Sequence, residues 1–261
     1  MDLATIIGFV LAWGAFFGSV LMEGGDLKAM INPSALVLVF GGTLGASMMS
    51  VPLSGILGIA GVTKNAFISK KEDNAGVIKM LVGFAERARR EGLLALEDQT
   101  REIDDPFLKK GIQLAIDGTD PELVREILQT DIAFIGTRHA AGATLYATMA
   151  GFSPTLGVIG TVAGLVHMLG NLSDPGSMGP SIAAAFIATL YGVSSANLLF
   201  LPLSNKLKHV SSEEVLGKEI VMEGILAIQA GDNPRIVEEK LKAFLAPKIR
   251  KAFDAAVEMA A

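Results

Sequence analysis

The sequence contains no cysteine, which excludes disulfides and thiolate metal sites. Charge is also scarce. Only 19% of residues are charged against 51% hydrophobic, and residues 3–22, 29–63, 140–173 and 175–205 hold no Asp, Glu, Lys or Arg at all. There is no GxxxxGK[ST] loop to cradle a nucleotide phosphate. Strand-like alternation and Asn-Gly hairpin signals are missing too. The two long polar regions carry 21 basic and 23 acidic residues, a near balance that leaves no basic footprint for nucleic acid.

The uncharged runs are what remains to be explained. Crossing a bilayer core takes about 20 apolar residues. The first run suits one crossing, and the third and fourth each hold one with room to spare. The second has room for one long helix that continues beyond the lipid. A large soluble helical core is the alternative, and four such runs in 261 residues weigh against it. Residues 3–22 do not read as a cleaved signal peptide, because "MD" supplies no basic n-region and "VLMEGG" is a poor cleavage sequence.

Basic residues set the orientation. Of 22 Lys and Arg, twelve lie in residues 64–138 and nine in 206–261, and Lys28 alone falls in the first short connection. The positive-inside rule places both large polar regions and both termini in the cytoplasm. The connections at 23–32 and 172–179, the latter with the tight turn "SDPGSMGP", face outward.

Helix start signals fill the polar regions. "DDPFLKKGIQLAIDG" and "TDPELVREILQTDI" each place Asp before Pro at the first helical position, and Asn233-Pro234 repeats the device. Apolar residues follow at helical spacing, as in Leu123, Ile127 and Leu128, or Ile236, Leu241 and Leu245. The expected fold is an all-α integral membrane protein. Four transmembrane helices are joined to a helical cytoplasmic domain built from the 2–3 loop and the C-terminal tail. Its expected divisions are 1–63 (helices 1 and 2), 64–144 (cytoplasmic), 145–205 (helices 3 and 4) and 206–261 (the cytoplasmic tail).

The membrane runs are rich in small residues. Gly157, Thr161 and Gly164 share one side of the third helix, Ala185, Thr189, Gly192 and Ala196 one side of the fourth, and Gly41 and Gly45 form a GxxxG in the second. Such stripes let helices in lipid approach closely, within the chain or against another. Thr161 and Thr189 fall at similar depth. Their hydroxyls either bond back to helix carbonyls or offer oxygen ligands to a hard cation. Pro154 and Pro202 both lie toward the cytoplasmic side, each removing a helix hydrogen bond; they serve as a bend into the cytoplasmic body or as a hinge. His167 is the lone ionisable side chain in these runs besides the two tyrosines, and it lies near the outer end of its helix. If the protein conducts ions, the titratable ligand belongs to another chain. A membrane hydrolase built on Ser153 with His139 or His167 is disfavoured: Ser153 and His167 lie roughly 20 Å apart along one helix, and His139 has no acidic orienter on the membrane side.

Four segments together resemble the MotA/PomA family of flagellar motor stator subunits, in its PomA-like branch: "MDLATIIGF", "ERARREGLLALED", "IGTVAGLVHMLGNLSDPGSMGPSIAAAFIATLYG" and "GILAIQAGDNPRIVEEKL". The resemblance implies a ring, a pentamer, around a dimer of a MotB/PomB-type partner in the bacterial inner membrane. That partner supplies the ion-binding aspartate, and small residues of helices 3 and 4 face it. Arg89 and Glu97 match charges that the family sets against the rotor protein FliG, and Arg90 and Asp98 match adjacent charges of the sodium-type branch. Pro154 and Pro202 match prolines linked to torque. Thr161 and Thr189 match positions near the ion path, where sodium can bind transiently and no permanent metal is implied. The expected function is conduction of sodium, or else protons, down its gradient to turn the rotor. No cofactor is implied and no enzymatic activity. Asn32 departs from the acidic residue of some sodium-type relatives, which softens the preference for sodium. An ExbB/TolQ-type energiser is the alternative, and it would carry three membrane helices instead of four.

Overall fold

The computed structural model describes residues 3–68, 73–101, 103–170, 173 and 175–258. Among these, helices are the only regular elements, and the chain divides into two compact units. One comprises Met1–Lys70 with His139–Val210, the other Lys71–Arg138 with Ser211–Ala261.

The first unit opens with α1 (Leu3–Met22), which buries none of its side chains. α2 (Pro33–Met48) follows, with Asn32 as its N-cap and a π-helical turn at Val37–Gly41. The long helix expected through 29–63 is broken. Pro52 cannot donate to a continuing helix, and after a turn the chain forms α3 (Leu53–Leu57) and α4 (Ile59–Phe67) instead.

Three stretches are long and apolar enough to cross a membrane: Leu3–Met22, Pro121–Gly170 and Met178–Gln229, with Pro33–Met48 shorter. Met178–Gln229 runs through most of α9 (Pro175–Ser195), a π-helical turn (Ala196–Phe200) and α10 (Leu201–Gln229). The expected outer turn "SDPGSMGP" is largely helix, because Pro175 takes the first position of α9, where its missing N–H costs nothing. Asn171, Leu172 and Asp174 of that connection lie outside the described residues. A small core of Leu145, Tyr146, Met149, Phe200 and Leu203 packs this unit.

The second unit is built as its start signals predict. α5 (Asn74–Glu91) is capped by Asp73, which accepts from the Gly76 N–H at 3.0 Å. It buries Ile78, Leu81, Phe84 and Ala85, one stripe at helical spacing. A short helix α6 (Glu97–Arg101) precedes α7 (Pro106–Ile116), where Asp105 accepts from the Phe107 N–H at 2.9 Å. The 50-residue α8 (Pro121–Gly170) follows. Asn233 caps α11 (Pro234–Lys242) in the same way at 3.0 Å, and α12 (Pro247–Glu258) ends the chain. Ile220, Ile225, Val124 and Leu128 complete the core. Fully burying each such side chain contributes about 1.5–3 kcal/mol.

Candidate functional site

The small-residue stripes of α8 and α9 meet each other. A Cβ added at Gly192 would stand 2.5 Å from the Ser153 carbonyl oxygen and 3.1 Å from the Gly157 Cα; one at Gly157 would stand 2.8 Å from the Ala188 carbonyl oxygen. Backbone atoms cannot give way, so the two helices touch through their main chains. Of the two uses a small-residue stripe offers, packing within the chain is the one realised here. Gly41 and Gly45 differ: a Cβ at either meets nothing within 4 Å.

That close approach brings Thr161 and Thr189 together. Their hydroxyls bond to each other. Thr161 donates across the gap to the Ala185 carbonyl at 2.8 Å and lies 3.2 Å from its own Gly157 carbonyl, while Thr189 reaches the same Gly157 oxygen at 3.3 Å. Two hydroxyl and two carbonyl oxygens therefore converge between the uncharged stretches of these helices, the donor type that hard cations prefer. Toward the other end of the pair a second rung forms, where the buried Ser153 and Ser195 hydroxyls bond at 2.6 Å. Ser153, weighed earlier as a nucleophile, thus has another serine as its partner.

Pro154 stands beside this crossing, its Cα 3.1 Å from where a Gly192 Cβ would be. Pro202 follows the π-helical turn, in which the Leu201 N–H reaches back to the Ala196 carbonyl. A π turn widens the backbone just where proline withdraws a donor, and such turns recur at working parts of helices.

Arg89 and Arg90 end α5, and Glu97 and Asp98 open α6. Between them Gly92 takes φ +85°, a conformation that side chains disfavour, and the chain turns there. All four charges are exposed, and none forms an ion pair among the described residues. Cations at a helix C-terminus and carboxylates at an N-terminus also complement the helix dipoles. The four thus have a local stabilising role besides any contact they make.

Several polar residues escaped the sequence reading. The Tyr191 hydroxyl donates to the Met30 carbonyl and accepts from the Asn32 N–H at 3.2 Å, pinning the 23–32 connection to α9. A tyrosine in an uncharged run is the signal that was available, since its buried hydroxyl needs a partner. Asn32 itself caps α2 by accepting from the Ala35 N–H at 3.1 Å, a role aspartate fills equally well. Tyr146 bonds to Thr63, and Ser204 donates to the Ala143 carbonyl at 2.8 Å. Thr43 and Ser47 are fully buried on α2, and their hydroxyls find no partner among the described residues. No cluster of His, Asp and Glu suited to a metal occurs among the described residues.

The N-terminal part, residues 6–92, matches the family model for the motility protein A N-terminal region, and residues 99–220 match that of the MotA/TolQ/ExbB proton channel family. Motility protein A of Borreliella burgdorferi is 39% identical over 98% of this chain and 99% of its own length. The chain belongs to the MotA/PomA family of flagellar motor stator subunits. Chemotaxis protein PomA of Vibrio alginolyticus is 36% identical over 94% of this chain and 96% of its own. Among solved structures, the flagellar MotAB stator complex from Bacillus subtilis superposes with a TM-score of 0.91 at 35% identity, covering 97% of this chain and 99% of that one. The N-terminal match to motility protein A favours the stator over the ExbB/TolQ reading.

Proposed function

We infer that the chain works as the membrane subunit of an ion-driven flagellar stator, with four crossings and both termini in the cytoplasm of a bacterial cell. Pro33–Met48 is the remaining crossing; at 1.5 Å per residue it spans about 24 Å, most of a bilayer core. Five copies surround a dimer of a MotB/PomB-type partner. The observation that carries this reading is the uncharged stretch 140–170 of α8 packed on α9, with its convergent oxygens at Thr161 and Thr189. Such a wall can pass or hold a cation briefly, but it offers no carboxylate to titrate. The partner's aspartate supplies that group.

Sodium is the proposed coupling ion, with the proton as the competing one. Ion entry neutralises the partner aspartate and changes how its helix packs, and the ring advances. Arg89, Arg90, Glu97 and Asp98 then push FliG. Exposed charges suit a contact made and broken repeatedly, because they steer engagement without a slowly releasing buried core. The energy is that of the ion gradient, about 2.3 kcal/mol per charge across 100 mV. No step of this cycle calls for a cofactor or an enzymatic reaction.

Vesicles provide the test. Those holding this chain with its partner should pass the driving ion, and those holding this chain alone should not. Full-rate flux without the partner would overturn the reading. Swimming speed that ignores external sodium, in cells with this stator alone, would reassign the ion to the proton.

A further inference from the structure

Beside α1 lies a cavity of about 300 Å³, walled by Gly8, Phe9 and Phe67 and by Leu199, Pro202 and Leu203, with Lys206 on its rim. All of these residues belong to the first compact unit. Its position is set by the sequence: the uncharged run 175–205 gives way to charge at Lys206, and exposed Lys208 and His209 follow within the next turn. Exposed Lys64 precedes Phe67 by less than one turn of α4. The cavity is thus mostly apolar, with Thr5 and Asn197 as its polar exceptions. Lys206 lines it in a stretch with further basic residues nearby in sequence, at the end that the positive-inside rule assigns to the inner leaflet.

We propose that this cavity is a binding site for one anionic phospholipid of the inner leaflet, one of its two acyl chains between Phe9, Leu199 and Leu203, the other in the surrounding bilayer, and its phosphate at Lys206. Two properties select this occupant. The volume sits at the low end of ligand pockets, which run roughly 300–1,000 Å³, and an α-helix at least about 10 Å across is too thick for it. A hydrocarbon chain is not. Lys206 supplies charge complementarity, since basic residues at the membrane surface attract anionic headgroups and lysine stems lie readily along apolar walls. Because Pro202 and the π-helical turn form one wall, a bound chain also braces the segment where α9 passes into α10.

The test uses the stator complex with its partner, assembled in nanodiscs of equal phosphatidylglycerol and phosphatidylcholine, extracted mildly and weighed by native mass spectrometry. Phosphatidylglycerol should be retained in preference. Lys206→Gln should cut its retention about fivefold, the factor matching roughly 1 kcal/mol per basic residue at an anionic surface, and Lys206→Arg should preserve it. Gly8→Leu fills the cavity, and its new Cβ meets no atom within 4 Å; it should abolish retention of either lipid while the complex still assembles. Equal retention of both lipids by the unaltered complex, or retention untouched by Gly8→Leu, would overturn the proposal. So would a photo-crosslinker at position 8 that captures a second copy of the chain instead of lipid. If the Lys206 variants fail to assemble, Gly8→Leu decides alone.

Discussion

Thr43 and Ser47 show what single residues cost. An unmade hydrogen bond on a fully buried hydroxyl costs about 1–3 kcal/mol, and removing the group at constant shape recovers part of it. Thr43→Val should therefore raise the melting temperature of the purified complex, whereas Thr43→Ala, which opens a gap, should not. A lower melting temperature for the valine variant would mean that an ordered water serves the hydroxyl. Lys242 is the opposite case. Only 8% exposed, its ammonium donates to Asp254 at 2.8 Å and contacts Glu239 at 2.7 Å and Glu238 at 3.2 Å. The Asp254 bond first, then Glu239, hold it protonated above the ordinary lysine range; burial works the other way and Glu238 adds to the rise. A raised folded-state value means stabilisation present in full below the unfolded lysine value of about 10.4 and lost as pH climbs through the folded one. Lys242→Met should thus lower the melting temperature at pH near 8, and its deficit against the unaltered chain should shrink above about pH 10.5. A deficit constant through that range would assign the effect to packing alone.

At the scale of elements, the α8–α9 crossing rests on two glycines whose absent side chains let main chains touch. Gly192→Ala should force the helices apart and cost about 1–3 kcal/mol, the range for overpacking. Its signature is loss of the cross-helix Thr161 and Ser153 bonds, read as faster amide exchange in α9. Unchanged exchange would show that the crossing has slack. The sequence disclosed this element well. Spacing placed Thr161 and Thr189 at one depth, and the Asp-Pro and Asn-Pro starts located helices in the second unit. The end of α2 was illegible, since lack of charge marks what lipid tolerates and says little about where a helix stops. Pro52 was the available clue. Tyr191 and the Ser153–Ser195 rung were hidden for a different reason. They join residues far apart in the chain, and no local pattern records which partner a hydroxyl will find.

For the whole molecule, the prediction concerns the exposed charges around Gly92. Reversing Arg89 or Glu97 should reduce swimming torque while the complex assembles and conducts ions normally. Each charge is exposed, so its removal should change stability by no more than about 1 kcal/mol. Failure to assemble would give these residues a folding role instead of a working one. Reversing both at once should restore torque if the two act on separate, oppositely charged partner groups that can exchange roles, and should deepen the loss if each partner group is fixed.

α1 contributes no buried side chain, and it meets the rest of its unit in part through Phe9, whose ring stands edge-on to that of Phe67 with centroids 6.3 Å apart. Within a single chain it stands like a stave held upright by the surrounding oil. Stripping the bilayer should therefore dislodge this stave before any other part of the protein. In a harsh detergent, limited proteolysis should clip near residues 23–28 while α8 and α9 stay intact. Preparations that keep native lipid are the ones in which the amino-terminal span will be found in place.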